Sequence, residues 1–139
     1  MKKLLLILLL LIGTLHVNAQ LLKSKQDIIT YWGSPTGYGV SNEGDDYIYY
    51  DKYITTEQSG RYIQRKAMYF MTMDDGTIIC YMWRIIEPGT ELNNNLAYYR
   101  SQFIKIDYMI YKDYSTNIAY KLYMKDGMAI IDAYCDNKN

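Results

Sequence analysis

The chain has 139 residues, half of them hydrophobic and 15% aromatic, and its 15 basic and 15 acidic side chains cancel. With no basic excess to neutralise phosphates, nucleic acid is excluded as the natural partner. The single histidine, His16, stands in an N-terminal stretch that reads as a leader. Ser-His and Cys-His nucleophiles and His-ligated metal centres are therefore excluded from the remainder.

Lys2-Lys3, the nine-residue apolar run Leu4 to Ile12, and Val17-Asn18-Ala19 before Gln20 have the layout of a secretory signal peptide over residues 1–19. The apolar run is too short to span a bilayer. A lipoprotein carries cysteine at its first mature position, and Gln20 stands there instead. The expected product is exported, to the periplasm or outside the cell, with no membrane span. Lys2 and Lys3 leave with the leader, so 15 basic side chains become 13 against 15 acidic ones. Residues 20–139 are one domain by size.

Ser24-Lys25-Gln26-Asp27 reads as a capping box opening a short helix, with Ile28 and Trp32 one turn apart and Gly33 and Pro35 as its stop. Tyr38 to Asp46 is a loop rich in glycine and acid. Tyr47 to Tyr53 is a β-rich run echoed by Tyr108 to Tyr114, and the polar stretch Thr55 to Arg65 reads as a long connection. Pro88-Gly89-Thr90 opens a second helix in which Leu92, Leu96, Tyr99 and Phe103 form one apolar stripe, extending to Ile104. All 17 tyrosines follow the leader, against two phenylalanines, which suits half-buried strands.

Two segments are alike at an offset of 51 positions, Tyr69–Trp83 and Tyr120–Tyr134, with five identities. Both contain Asp-Gly, at Asp75-Gly76 and Asp126-Gly127, between alternating apolar residues, which is the signature of a two-residue β-hairpin. The chain thus reads as an α+β fold: two helix–strand–hairpin units in tandem, about 20–87 and 88–139, forming an antiparallel sheet with helices packed on one face.

The stretch KQDIITYWGSP, a variable polar loop, YIYYDKY and a strand ending at DDG resembles the SmpA/OmlA family, small outer-membrane lipoproteins of the β-barrel assembly machinery. Two such units are similar to the β-lactamase-inhibitor-like (BLIP-like) fold, in which helices cover one sheet face and the other grips a partner protein. The resemblance covers the first half of the chain and is weaker in the second, where Phe103 runs on into Ile104-Lys105-Ile106 without a Gly-x-Pro ending. It implies a fold and a protein-binding habit.

Two-residue turns fix which residues face each other. In the second hairpin, Tyr120 opposite Ala133, Leu122 opposite Ile131 and Met124 opposite Ala129 form an apolar side. Lys121 opposite Asp132, Tyr123 opposite Ile130 and Lys125 opposite Met128 form a wet one. In the first hairpin the side equivalent to the core carries Tyr69, Met71, Met73, Ile78, Cys80 and Met82. The other carries Met68 opposite Trp83, Phe70 opposite Tyr81 and Thr72 opposite Ile79, so both are apolar. The expected partner-binding surface is Met68, Phe70, Tyr81 and Trp83, extended by Tyr123 and Tyr134.

This reading makes the chain a non-enzymatic binding module for an envelope or extracellular protein, without cofactor or metal. The alternative is a small-ligand carrier with an apolar α+β pocket. An enzyme built on carboxylates and tyrosines comes third, because nothing places two acids together: Asp45-Asp46 and Asp74-Asp75 read as solvated turns, and Glu87 with Glu91 as a charged helix start. Cys80 and Cys135 are the only cysteines, a possible disulfide in an exported chain.

Overall fold

The computed structural model describes residues 21–138, so the expected leader lies outside them. Helix α1 (Lys25–Trp32) begins where the Ser24 hydroxyl accepts the Asp27 N–H at 3.1 Å. It stops where Gly33, at φ 85°, donates its own N–H to Ile29. Strands β1 (Gly37–Val40), β2 (Asp46–Thr56), β3 (Gly60–Thr72) and β4 (Ile78–Pro88) form an antiparallel meander. A 3-10 turn (Gly89–Glu91) leads into helix α2 (Leu92–Gln102). A second meander follows: β5 (Ile104–Asp107), β6 (Ile110–Asp113), β7 (Ile118–Lys125) and β8 (Met128–Cys135). The meanders join through their last strands, giving one sheet in the order β1-β2-β3-β4-β8-β7-β6-β5.

The expected fold class is corrected by this balance. Strand makes up 54% of the structure and helix 19%. An eight-stranded antiparallel sheet carries the fold, with two short helices added to it. The largest source of the difference is Thr55 to Arg65, which continues β2 into β3 across a loop of three residues, Glu57 to Ser59. Its polarity is compatible with strand because the cations lie on tyrosine rings: Arg61 is 4.2 Å from the Tyr53 centroid and Arg65 3.9 Å from that of Tyr49. Arg65 also donates twice to Asp51 on β2, at 2.8 Å each. The Tyr108 to Tyr114 run is divided by Met109 at φ 53°, which turns β5 back into β6.

The two Asp-Gly turns differ. Asp126 and Gly127 both have positive φ, 52° and 77°, as a type I′ turn requires, and the β7–β8 pairs fall as the spacing predicts. In the first hairpin only Gly76 does, at 85°. Gly76 N–H donates to Met73 O at 2.9 Å and Met73 N–H to Thr77 O at 2.7 Å, closing a three-residue loop, Asp74 to Gly76. That extra residue pairs Phe70 with Cys80 in place of Tyr81. A bulge at Tyr81 then restores the expected pairs Tyr69↔Met82 and Met68↔Trp83.

Pairing across the seam decides which face is inside. Trp83 lies opposite Ala133 and Ile85 opposite Ile131, and directly opposed residues share a face. Trp83, Met68 and Phe70 therefore join Tyr120, Leu122 and Ala133 in the core, with Ile28 of α1, Tyr99 of α2 and Leu21 over them. The assignment of Met68, Phe70 and Trp83 to a binding surface is corrected accordingly: they are 0%, 3% and 4% exposed. The physical reason is the period of two. The seam aligns Tyr69 with Met82 and Tyr134 in one row and Tyr120 with Ala133 and Trp83 in the next, so these equivalent residues point to opposite sides of a shared sheet.

Removing the Trp83 indole from this core should cost roughly 3–5 kcal/mol of folding stability, measured by chemical denaturation of Trp83→Ala. A loss under ~1 kcal/mol would contradict the face assignment.

Candidate functional site

The face turned away from both helices is paved with tyrosine. Alternation puts Tyr47, Tyr49, Tyr69, Tyr123 and Tyr134 there, together with Arg65, Arg84, Asp51 and Asp132. The bulge adds Tyr81 to Met82, its sequence neighbour, on this same side. Edge strand β1 contributes by omission. A Cβ built on Gly37 would come within 2.3 Å of the Tyr49 hydroxyl oxygen, and one on Gly39 within 2.3 Å of the Tyr47 ring. The two rings lie across the glycines, which is why Gly-x-Gly stands at this edge.

A cavity of about 500 Å³ opens on this surface, walled by Tyr47, Tyr69, Tyr81, Tyr123 and Arg84. The β1–β2 loop closes one rim. Its shape is set locally by the Ser41 side chain accepting the Asp45 N–H at 3.1 Å and by Gly44 at φ 89°. The loop carries Asp45 to the Tyr81 hydroxyl, which donates to it at 2.6 Å. Burial, followed by this carboxylate, pushes the Tyr81 phenol well above its ordinary pKa.

The floor is an ion pair across the seam. Arg84 on β4 donates to Asp132 on β8 through Nε at 2.6 Å and Nη2 at 2.9 Å, a bidentate fork. Tyr123 on β7 donates to the same carboxylate at 2.9 Å, and the guanidinium sits 5.5 Å from the Tyr69 ring centre. Asp132 is only 8% exposed. Its carboxylate holds the Arg84 guanidinium well above its usual range, and burial with the Asp132 hydrogen bond pushes the Tyr123 phenol up to about 12. The sequence pairs Asp132 with Lys121, its cross-strand neighbour. Arg84 takes it instead, and Lys121 lies exposed beside the Tyr123 ring at 5.6 Å.

Of the six residues read from the sequence as a surface, Tyr81, Tyr123 and Tyr134 are on the outer face and Met68, Phe70 and Trp83 are not. Tyr47, Tyr69, Arg84 and Asp45 were missed. The signal for the first was present in the alternation of Tyr47 and Tyr49 beside Gly37-x-Gly39; nothing local marked the others. Cys80 and Cys135 are free thiols, Cys80 buried in the core with its pKa pushed up to about 12 by burial. Glu87 and Glu91 do more than start a helix. Glu87 accepts from Tyr62 at 2.5 Å and Gln64 at 3.1 Å, while Glu91 accepts from Thr56, Ser59 and Asn94. The pair fastens the far end of the β2–β3 hairpin to the turn before α2.

Among the described residues no helix is long and apolar enough to cross a membrane, and no three His, Cys, Asp or Glu side chains gather as a metal site. No protein-family model, curated protein or solved structure matches this chain.

The Tyr123 shift has a definite sign in pH. A phenol raised from ~10 to about 12 contributes stability that is fully present below pH ~10 and lost as pH rises through 12. Unfolding measured from pH 9 to 12 should show that loss in the wild type and a shallower one in Tyr123→Phe. The same variant should lose ~1 kcal/mol at pH 7 through its missing hydrogen bond. Identical alkaline slopes would refute the assignment.

Proposed function

We propose that this chain is an exported, non-enzymatic binding module that grips another protein with the tyrosine-lined outer face of its sheet. The carrying observation is the cavity between Tyr47, Tyr69, Tyr81 and Tyr123, fixed from below by the partly buried Arg84–Asp132 fork. Tyrosine and arginine are among the side chains that most often anchor interfaces, since each offers a flat surface and a polar tip, tyrosine at low entropic cost. Export rests on the leader-like sequence of residues 1–19. Two carboxylates beside the cavity are already engaged: Asp132 holds Arg84 and Tyr123, and Asp45 holds Tyr81.

A small-ligand carrier is the second reading, favoured by the volume of about 500 Å³, which falls in the range of small-molecule sites. Its wall of hydroxyls and cations would suit a polar ligand.

Tyr47→Ala combined with Tyr81→Ala separates these readings from a purely structural face. Protein captured from the exported fraction by wild-type bait, once purified, should bind the double variant at least tenfold more weakly, ~2 kcal/mol, at a temperature where unfolding curves show both proteins folded. Equal binding by both proteins would sink the proposal. Saturable binding of a small polar molecule, lost in the double variant, would select the carrier.

A further inference from the structure

The cavity on the outer face combines aromatic walls with a polar rim. Tyr47 is laid down on β1, since a Cβ on Gly39 would come within 2.3 Å of its ring. A ring resting on a strand turns its other face outward, here towards the cavity that it lines. Tyr69 continues the platform, with ring centres 5.2 Å apart and planes inclined at 40°. The negative faces of such rings attract the slightly positive hydrogens of C–H groups.

The polar groups around these rings supply both halves of a hydrogen bond. Tyr81 gives its proton to Asp45 and Tyr123 to Asp132, so each hydroxyl keeps its oxygen lone pairs as acceptors. On the β1–β2 loop the Ser41 oxygen accepts the Asp45 N–H, which leaves the Ser41 proton to donate. Three more groups of the lining, the Asn42 amide, the Glu43 carboxylate and the Lys125 ammonium, have no hydrogen bond or ion pair among the described residues. Charge on the lining is balanced once Asp132 neutralises Arg84, because Glu43 stands against Lys125.

A ligand suited to this cavity presents an apolar face of C–H groups, donors and acceptors around its edge, and no net charge. An aliphatic or aromatic side chain meets the first requirement alone, and would strip water from the rim without replacing its hydrogen bonds. A phosphate or carboxylate has no apolar face and brings a charge that the lining does not balance. A neutral sugar ring meets all three. On the reading of this face as a binding surface, we propose that the cavity is a saccharide site. The C–H face of the sugar stacks on Tyr47 and Tyr69, and its hydroxyls meet Ser41, Asn42, Glu43 and Lys125. The volume of about 500 Å³ admits a disaccharide, either free or carried by an exported glycoprotein.

Cellobiose, maltose, lactose and diacetylchitobiose, each titrated into the protein by calorimetry, are the probes. At least one should bind saturably with a Kd of ~1 mM or tighter. Its affinity should change less than about twofold between ~50 and ~500 mM salt, as for a neutral ligand. Gly39→Ala adds no group that a sugar could touch, and alanine suits the backbone there, but its Cβ must push the Tyr47 ring off β1. That variant and Tyr47→Ala should each weaken binding at least ~fivefold where unfolding curves show them folded. Displacement of a captured protein by the disaccharide would put the sugar on that partner, and binding without displacement would make it a free ligand. No saturable binding of any probe at ~20 mM, or affinity unmoved by Gly39→Ala, would overturn the proposal. Protein capture that needs Tyr47 and Tyr81 while no sugar binds would overturn the saccharide alone and leave the protein-binding reading in place.

Discussion

The pairing of β4 with β8 is the constraint on which the remaining structure depends. Each half of the chain builds its own meander through local turns, so its internal register is set within a few residues of each loop. Nothing local ties one half to the other. The seam does, and because opposed residues share a face, seven backbone pairs from Met82↔Tyr134 to Pro88↔Met128 settle at once which side of both meanders is dry. A slip of one residue there would turn Trp83 out to solvent and Arg84 into the core. The Arg84–Asp132 fork penalises that slip, since a buried guanidinium without its carboxylate costs several kcal/mol. The ion pair is best understood as fixing register, and the hydrophobic contacts of Trp83, Tyr120 and Phe103 supply the stability.

The same pair shapes the outer face. A tyrosine surface on a plain sheet would be a set of mobile rings. Here Tyr123 is held by Asp132, Tyr81 by Asp45, and Tyr47 packs against Tyr69 at 5.2 Å. Ordering these rings before any partner arrives removes part of the entropy cost of binding them. The bulge at Tyr81 has a matching role. By spending one extra residue in β4, it brings two successive side chains to the cavity and lets the three-residue loop at Gly76 coexist with the seam register.

How much of this was legible follows from the range of each interaction. Helix α1 was readable because its cap and stop are contacts three or four residues apart, Ser24 to Asp27 and Gly33 to Ile29. The α2 stripe was readable for the same reason, since Tyr99 is buried and Leu92, Leu96 and Phe103 pack beside it, but the helix stops at Gln102 and Ile104, read as its extension, opens β5. The β7–β8 register followed from its I′ turn. The first hairpin misled because Asp-Gly fits two turns: Asp75 stays at negative φ and its side chain accepts the Thr77 N–H at 2.9 Å, stabilising the longer loop. Thr55 to Arg65 was opaque as strand because its partners, Tyr49, Asp51 and Tyr53, lie on another segment and neutralise its polarity only once paired. The face of each hairpin depends on the seam, the longest-range pairing between the halves, and no count along the sequence contains it.

Why the chain uses 17 tyrosines and two phenylalanines becomes a question about having two ring-rich faces. A sheet this wide needs one apolar side to fold, and a second apolar side would invite aggregation. Phe70 and Phe103 belong to the inner, covered side. Outside, each ring carries a hydroxyl, and those of Tyr81 and Tyr123 reach a carboxylate. Replacing either hydroxyl with hydrogen would leave Asp45 or Asp132 short of a donor and create an apolar patch where a polar one stood. The tyrosine content that looks like general β-propensity in the sequence is therefore divided by location: within the core, rings such as Tyr99 and Tyr120 pack in a tilted pair with centres 4.9 Å apart, and on the outer face the hydroxyl is what allows the ring to be there.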